Sequence, residues 1–293
     1  MKFKNKMFFI VVLYNKKINE SLTLNNIFQM NLENIEVVIL DNSTTPLNDG
    51  NGLSEYVHYL NMNGNKGLSK PYNVALDYIF NDLKGTSNDY IVLFDDDTNI
   101  TYEYFQKLNE EINCNTDVDI FVPIVYGQDG IIYSPNSYRY LKNQLFRNKN
   151  DLGGIKRFNA INSCLCVKAS VYENYRYDEN LFLDQVDTKF FNDMRLKNTN
   201  FKVLDTVIHQ NFSQRGKKLN PKKMLIRYRI RFKDIMVYGQ NNLKNSLLSF
   251  IKCIAISLQT GKHCKSFSFT LECFKLSFHL FLHNVKIVLK NKR

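Results

Sequence analysis

Tyr90-Ile91-Val92-Leu93-Phe94 runs without a polar residue into Asp95-Asp96-Asp97. A strand with one wet face alternates apolar and polar residues. An unbroken apolar run of this length instead reads as a strand covered on both faces, as in a parallel sheet packed between helices. Three carboxylates at its carboxyl end repel one another unless a cation lies among them. Residues i and i+2 leaving a strand project to the same side, so Asp95 and Asp97 face together. Oxygen ligands of this kind suit Mg²⁺ or Mn²⁺, which also bind a diphosphate. The carboxyl ends of strands are where open α/β sheets take their ligands. The plainer reading of the triplet is an acidic turn or a helix cap.

Working outward from the triplet, strands alternate with helices. Phe8 to Leu13 is a buried first strand, Ile18 to Met30 is helix-like, and Val37 to Leu40 is a second strand running into Asp41-Asn42-Ser43. A strand near Tyr56 to Leu60 leads to the Asn- and Gly-rich loop Asn61 to Gly67. Ser69 then suits an N-cap, with Pro71 in the first turn of a helix reaching Leu83. After the triplet the pattern gives a helix over Thr101 to Asp117 and a strand over Ile120 to Val125. Loops and hairpins follow to Gly154, then a strand over Ala160 to Val167 and a helical turn near Ala169 to Tyr175. A helix within Leu181 to Lys197 precedes a last strand, Lys202 to Ile208, before His209. This is the pattern of an α/β fold with a mostly parallel central sheet flanked by helices.

The chain has 293 residues, enough for one large domain or one domain with an appendage. Hydrophobic residues make up 44%, which excludes a wholly disordered chain. The six cysteines contain no Cys-x-x-Cys pair and lack zinc-ligand spacing, so they read as reduced thiols of a cytosolic protein. The basic Met1 to Lys6 and apolar Met7 to Leu13 are too short for a signal peptide and fit a buried strand. The net charge of +11 is unevenly spread: from Gln214 onward there are 18 Lys and Arg against two acids, Asp234 and Glu272. The expected organisation is therefore an acidic catalytic domain over 1–213 and a basic amphipathic helical tail over 214–293. Within Phe267 to Leu289 the polar Glu272, Lys275, His279, His283 and Lys286 fall in one helical stripe, leaving a broad apolar face to bury. A cationic patch with Phe-rich helices suits an anionic membrane surface.

Five segments, in order, resemble the family 2 glycosyltransferases of GT-A fold. They are Val11-Val12-Leu13-Tyr14-Asn15, Ile39-Leu40-Asp41-Asn42-Ser43, Asn65-Lys66-Gly67-Leu68-Ser69 with Asn73, Asp95-Asp96-Asp97 at a D-x-D position, and Tyr177-Asp178-Glu179-Asn180-Leu181-Phe182 through Val186-Asp187. The resemblance implies a nucleotide-sugar half over about 1–100 and an acceptor half over about 101–213. It implies donor contacts from the Tyr14-Asn15 backbone, Asp41, Asn65, Asp95 and Asp96, and a metal held by Asp95, Asp97 and His209. Arg215, Lys217 and Lys218 are further candidates to neutralise the leaving diphosphate. The family's acidic pair is here Val186-Asp187, which makes Asp187 the matching catalytic base. Asp184 stands three residues earlier, and at helical spacing both acids line one face. The base is left open between them.

The implied activity is metal-dependent, inverting hexosyl transfer from a UDP- or dTDP-linked donor, with Mn²⁺ or Mg²⁺ as cofactor. The implied acceptor is a glycan or a polyprenyl-diphosphate-linked glycan, in cell-surface polysaccharide or capsule synthesis at the cytoplasmic face of the plasma membrane. Asp41-Asn42 and the Asp184 to Asp187 segment are similar to those of rhamnosyl- and galactofuranosyltransferases. Tyr14-Asn15-Lys16-Lys17 contains no glycine, which argues against a pyrophosphorylase, a P-loop or a dinucleotide site. The rival class is a basic nucleic-acid-binding protein, suggested by Arg227-Tyr228-Arg229-Ile230-Arg231. That rival leaves the aspartates unexplained, and no nucleic-acid partner is expected.

Overall fold

The structure, a computed structural model, describes residues 1–210 and 221–290. Its centre is a mixed sheet. Strands β1 (Lys2–Leu13), β2 (Glu33–Asp41), β3 (Val57–Asn61) and β4 (Tyr90–Asp95) lie in the order β3-β2-β1-β4, all parallel. Beyond β4 the order continues through β9 (Leu165–Lys168), β5 (Ile120–Gly127), β6 (Ile132–Ser137) and β7 (Gln144–Phe146). The short β8 (Phe158–Asn159) pairs with β6, and β10 (Phe201–Gln210) runs parallel to β5. Because β9 is antiparallel to both β4 and β5, the carboxyl ends of β1, β2, β4, β5 and β10 all reach the same edge.

The two-faced burial expected of the apolar runs is visible residue by residue along β1. Phe9, Val11 and Leu13 enter one core, with residues of α1 (Leu22–Gln29) and α3 (Tyr102–Cys114). Phe8, Ile10 and Val12 enter the other, with residues of α2 (Ser69–Asn81) and α5 (Val186–Leu196). Ser21 and Thr101 cap α1 and α3 by accepting from the backbone amides of Leu24 and Tyr104. Between β9 and α5 lies only the short α4 (Ser170–Glu173).

Three expectations need correction. Ala160 to Val167 is not one strand: β8 and β9 flank a turn, and Cys164 has a left-handed φ of 58°. Ser69 does not cap α2; its hydroxyl donates instead to the carbonyl of Leu181 at 2.7 Å. The helix expected within Leu181 to Lys197 starts only at Val186, after Gln185 at φ 66°. Asp184 and Asp187 therefore do not share a helical face.

Ser69's bond is one of several that dock the stretch before Asp187 onto the start of α2. Asn73 donates to the carbonyl of Tyr177 at 2.9 Å and accepts from its amide at 2.8 Å, while Leu68 N donates to Phe182 O at 2.6 Å. Gly67 sits at φ +81°, and a Cβ there would lie 2.2 Å from Phe182 O. The Asn-x-Gly-x-Ser segment is thus a clamp on the segment that delivers Asp187.

The last three helices, α6 (Pro221–Tyr238), α7 (Leu243–His263) and α8 (Phe267–Lys290), pack on one another and on the sheet domain. The buried carboxylate of Asp234 in α6 accepts from the backbone amides of Phe182, Leu183 and Asp184 at 3.0, 2.8 and 2.7 Å. Tyr138 and Tyr238 share a hydroxyl contact at 3.0 Å, and Tyr140 donates to Asn245 O at 2.9 Å. Small residues let α7 and α8 approach: a Cβ on Gly261 would meet Thr270 Oγ1 at 1.8 Å. The polar stripe of α8 is exposed as expected, but its apolar face is not all buried. Phe269, Cys273 and Val288 face inward, whereas Phe267, Leu271, Phe278, Leu282 and Leu289 are exposed. Among the described residues no helix is long and apolar enough to cross a membrane. The proposed boundary at 213/214 and Arg215, Lys217 and Lys218 lie outside the described residues.

Gly67→Ala should destabilise the fold by at least about 2 kcal/mol, from a left-handed alanine plus a clash with fixed backbone. Urea unfolding would show it; an unchanged midpoint would mean the loop is free to move off Phe182.

Candidate active site

Every strand that ends at the shared edge contributes a polar group. At the end of β2, Asp41 is buried, and its carboxylate accepts from Ser43 N at 3.1 Å, Asn48 Nδ2 at 2.9 Å and the Tyr59 hydroxyl at 2.9 Å. Burial alone would raise its pKa, but hydrogen bonds from Ser43, Asn48 and Tyr59 outweigh it and hold the carboxyl below its usual value. Asn15, at φ 49°, donates its amide to Ser43 Oγ at 2.9 Å and accepts from Thr44 N at 2.9 Å. Tyr14 beside it is half-exposed, and its amide points to Asp96 Oδ2 at 3.4 Å. Asn15 and Asp41, linked through Ser43, thus brace the ends of β1 and β2, while Tyr14 reaches toward the end of β4.

Asn65 is engaged within its own turn, accepting from Gly67 N at 3.0 Å and from Asn42 Nδ2 at 3.2 Å. Asn42, which sequence reasoning passed over, holds that turn from the other side. It accepts from Lys66 N and donates to Gly67 O, both at 2.7 Å.

The triplet at the end of β4 splits into three environments. Asp96 turns toward β1 and pairs with Lys16 at 2.6 Å. Asp97 is exposed, and its pKa is raised by desolvation and by the charge of Asp96. Asp95 is largely enclosed and accepts from Gln210 Nε2 at 2.8 Å. Burial, with the charges of Asp97, Asp96 and Asp187, pushes its pKa up to about 6. The sheet therefore holds two carboxylates at a cost that a bound cation would relieve.

Strand parity decides which residue of β10 joins them. Successive side chains of a strand point to opposite faces. Gln210 is buried against Asp95, so His209 faces outward and stacks on Tyr126 at 6.0 Å. Among the described residues no three His, Cys, Asp or Glu side chains converge as a metal cage. The oxygens present still fit a hard divalent cation. Asp95 and Asp97 face one side, and Gln210 Oε1 is a buried oxygen without a hydrogen-bond partner beside them. Mg²⁺-type sites commonly take one or two carboxylates and draw their other ligands from phosphate and water.

Asp187 and Asp184 have different fates. Asp187 opens α5, and its Oδ1 accepts from Thr188 N at 2.6 Å and the Thr188 hydroxyl at 3.3 Å. Desolvation is the main cause that brings its pKa up to about 6, with Asp184 adding to the rise and Lys252 opposing it. Asp184 pairs with Arg227 and lies 3.7 Å from Arg231 Nε, both on α6. Neither arginine was singled out for this; a basic run next to a missing second acid was the only signal.

The pattern characterised as Glycosyl transferase family 2 matches residues 8–176, more than half of the chain. The chain belongs to that family. The match takes in Asp41, Asn65 and the triplet, while Asp184, Asp187, His209 and Gln210 lie beyond it. The dTDP-rhamnosyl transferase RfbF of Shigella flexneri is 29% identical over 191 residues, which span 64% of this chain and 62% of that protein. A crystal structure of S. aureus TarS, residues 1–349, superposes with a TM-score of 0.52 at 16% identity, covering 96% of this chain and 81% of that one. At that identity the likeness bears on the fold, which is GT-A. A longer TarS crystal structure gives a TM-score of 0.49, and the match covers 40% of its chain.

A carboxyl whose folded pKa exceeds its unfolded value holds a proton that the unfolded chain has lost. Between about pH 4 and 6 the burial of Asp187 thus becomes progressively more costly, and above 6 the cost is fully present. Asp187→Asn should raise the thermal midpoint at pH 7.5, with the gain vanishing by pH 4. Calorimetric scans at both pH values test this, and a variant less stable at pH 7.5 would contradict the desolvation account.

Proposed function

We propose that this family 2 glycosyltransferase transfers a hexose, with inversion, from a dTDP- or UDP-linked donor to a hydroxyl of a glycan or polyprenyl-diphosphate-linked acceptor, in cell-surface polysaccharide synthesis such as that of a capsule. The observation that carries the reading is the separation of the two acids. Asp184 is neutralised by arginine, while Asp187 keeps a carboxylate whose hydrogen-bond donors among the described residues belong to Thr188, close enough to Asp95 to raise its pKa. Similarity to a rhamnosyl transferase supports a dTDP-linked deoxyhexose as the first donor to try.

In this mechanism Asp187 takes the proton of the acceptor hydroxyl as that oxygen attacks the anomeric carbon. A base with a pKa near 6 is ionised at neutral pH yet still accepts a proton effectively. Mn²⁺ or Mg²⁺ on Asp95 and Asp97, with the amide oxygen of Gln210 in the place first expected of His209, would neutralise charge on the departing diphosphate. Asp96 holds Lys16 at the mouth of the donor site, and the brace of Asn15 and Asp41 fixes the wall against which the base would lie. Asp187→Asn should cut turnover at least about 100-fold while leaving donor affinity unchanged. Asp97→Ala should remove the Mn²⁺-dependent part of donor binding in a thermal-shift series with dTDP- and UDP-sugars. Normal turnover by Asp187→Asn would sink the base assignment; metal-independent binding by the wild type would sink the cofactor.

Contact with an anionic membrane is the second part of the proposal. Leu247, Ile251 and Leu258 of α7 and Phe267, Leu271, Phe278 and Leu282 of α8 are exposed, and Lys244, Lys262, Lys275 and Lys286 stand exposed beside them. An amphipathic surface of this make-up lies in the headgroup layer rather than across it, at the cytoplasmic face of the plasma membrane. Full-length protein should float with vesicles containing phosphatidylglycerol, and Leu271→Gln with Phe278→Gln should abolish flotation. Equal flotation of wild type and double variant would count against this face.

A further inference from the structure

We infer that α6 and α7 build an anion subsite for a phosphate group on the acceptor, held by Lys252 and Arg231. The inference rests on the placing of Asp187 at the acceptor side. A cavity of about 820 Å³ opens between the β5–β6 turn and these helices, with Gln128, Arg231, Gln259, Lys262, His263 and Lys265 in its walls. Along α7, Lys252, Ile256, Gln259 and His263 recur at spacings of 4, 3 and 4, so they form one stripe of the helix. The last three line the cavity, and exposure falls along the stripe from His263 and Gln259 to Ile256 and Lys252. Lys252 therefore lies one turn beyond the lining residue Ile256, toward Arg231 and Asp187.

Its ammonium lies near Asp187 and Asp184 but is bonded to neither. Asp184 is taken by Arg227 and Arg231, and no hydrogen bond or ion pair to Lys252 occurs among the described residues. Burial, with Arg231 beside it, lowers its pKa to about 8, even though Asp187 and Asp184 pull the other way. The acid in the cavity wall, Asp129, is committed to its own turn, accepting from Tyr133 Oη at 2.7 Å and from Ile131 N. A half-buried cation with no hydrogen-bond partner is costly, and a phosphate oxygen would complete it. A phosphate gripped by Lys252 and Arg231 would hold a neighbouring hydroxyl near Asp187. The donor's own diphosphate is the other source of such an anion, and the two are separable.

The test uses the full chain and isothermal titration calorimetry, with geranyl diphosphate as the acceptor-like probe and dTDP with Mn²⁺ as the donor-like one. With dTDP and Mn²⁺ saturating, geranyl diphosphate should still bind the wild type. Lys252→Met should weaken that binding about tenfold or more, and Lys252→Arg should restore most of it. The affinity for dTDP should be the same in all three, and the thermal midpoint of Lys252→Met should equal or exceed the wild type's. Because dTDP binding is read separately, its absence in the wild type bears on the donor reading and not on the subsite. The subsite is refuted if geranyl diphosphate fails to bind the wild type or binds Lys252→Met equally well. A tenfold loss of dTDP affinity in Lys252→Met would assign the lysine to the donor instead.

Discussion

The carboxylate of Asp234 receives three consecutive backbone amides, those of Phe182, Leu183 and Asp184, and the placing of Asp187 depends on that grip. The segment has no regular structure of its own, so its amides have no ladder to join and must be satisfied from outside. Burial raises the Asp234 pKa and the three amides oppose it, so the bond is held together by a charge the interior would otherwise reject. On the opposite side Leu68 N and Ser69 Oγ take the carbonyls of Phe182 and Leu181. A loop held from both sides ends in Gln185, whose left-handed turn starts α5 and sets Asp187 in its first turn. Each step fixes the next, from a helix of the tail to the proposed base.

The same arrangement gives the charge asymmetry a local meaning. A tail with 18 cations against two acids places Arg227 and Arg231 on Asp184 and brings Lys252 toward Asp187. One of its two acids is Asp234, buried at the junction. Bulk charge alone favoured a membrane or a nucleic acid as partner. Part of it is spent inside the molecule, where cations neutralise one aspartate and leave the next to titrate near 6.

Runs with a strong period were legible in the sequence. The covered strands, the helix expected over Thr101 to Asp117 and the polar stripe of α8 stand close to where apolar periodicity put them. What failed was tertiary. Ser69 was read as a cap because serine before a helix usually is one, but a carbonyl 112 residues away claimed its hydroxyl. Asp184 and Asp187 were read as helical neighbours because the spacing allowed it; the left-handed Gln185 is invisible to periodicity. His209 was named on ligand chemistry alone, but of two adjacent strand residues only one can face Asp95, and it is Gln210. The Asn-x-Gly-x-Ser segment was visible, but a motif reports residue types and not what they touch.

The two ends of the site are built from different materials, and this constrains how each can vary. The end at the sheet consists of groups at strand termini whose hydrogen bonds brace neighbouring strands: Asp41, Asn15, Asp96 with Lys16, and Asp95 with Gln210. A change there disturbs the sheet's edge. The end near Asp187 rests on a loop and on three helices that join the sheet domain through a few polar contacts. Gln259 and His263 line the cavity and are exposed, so they can change without removing a bond that holds the fold. One end of the site is thus braced into the sheet itself, while the other hangs from the sheet domain by the grip of Asp234 on the loop before Asp187.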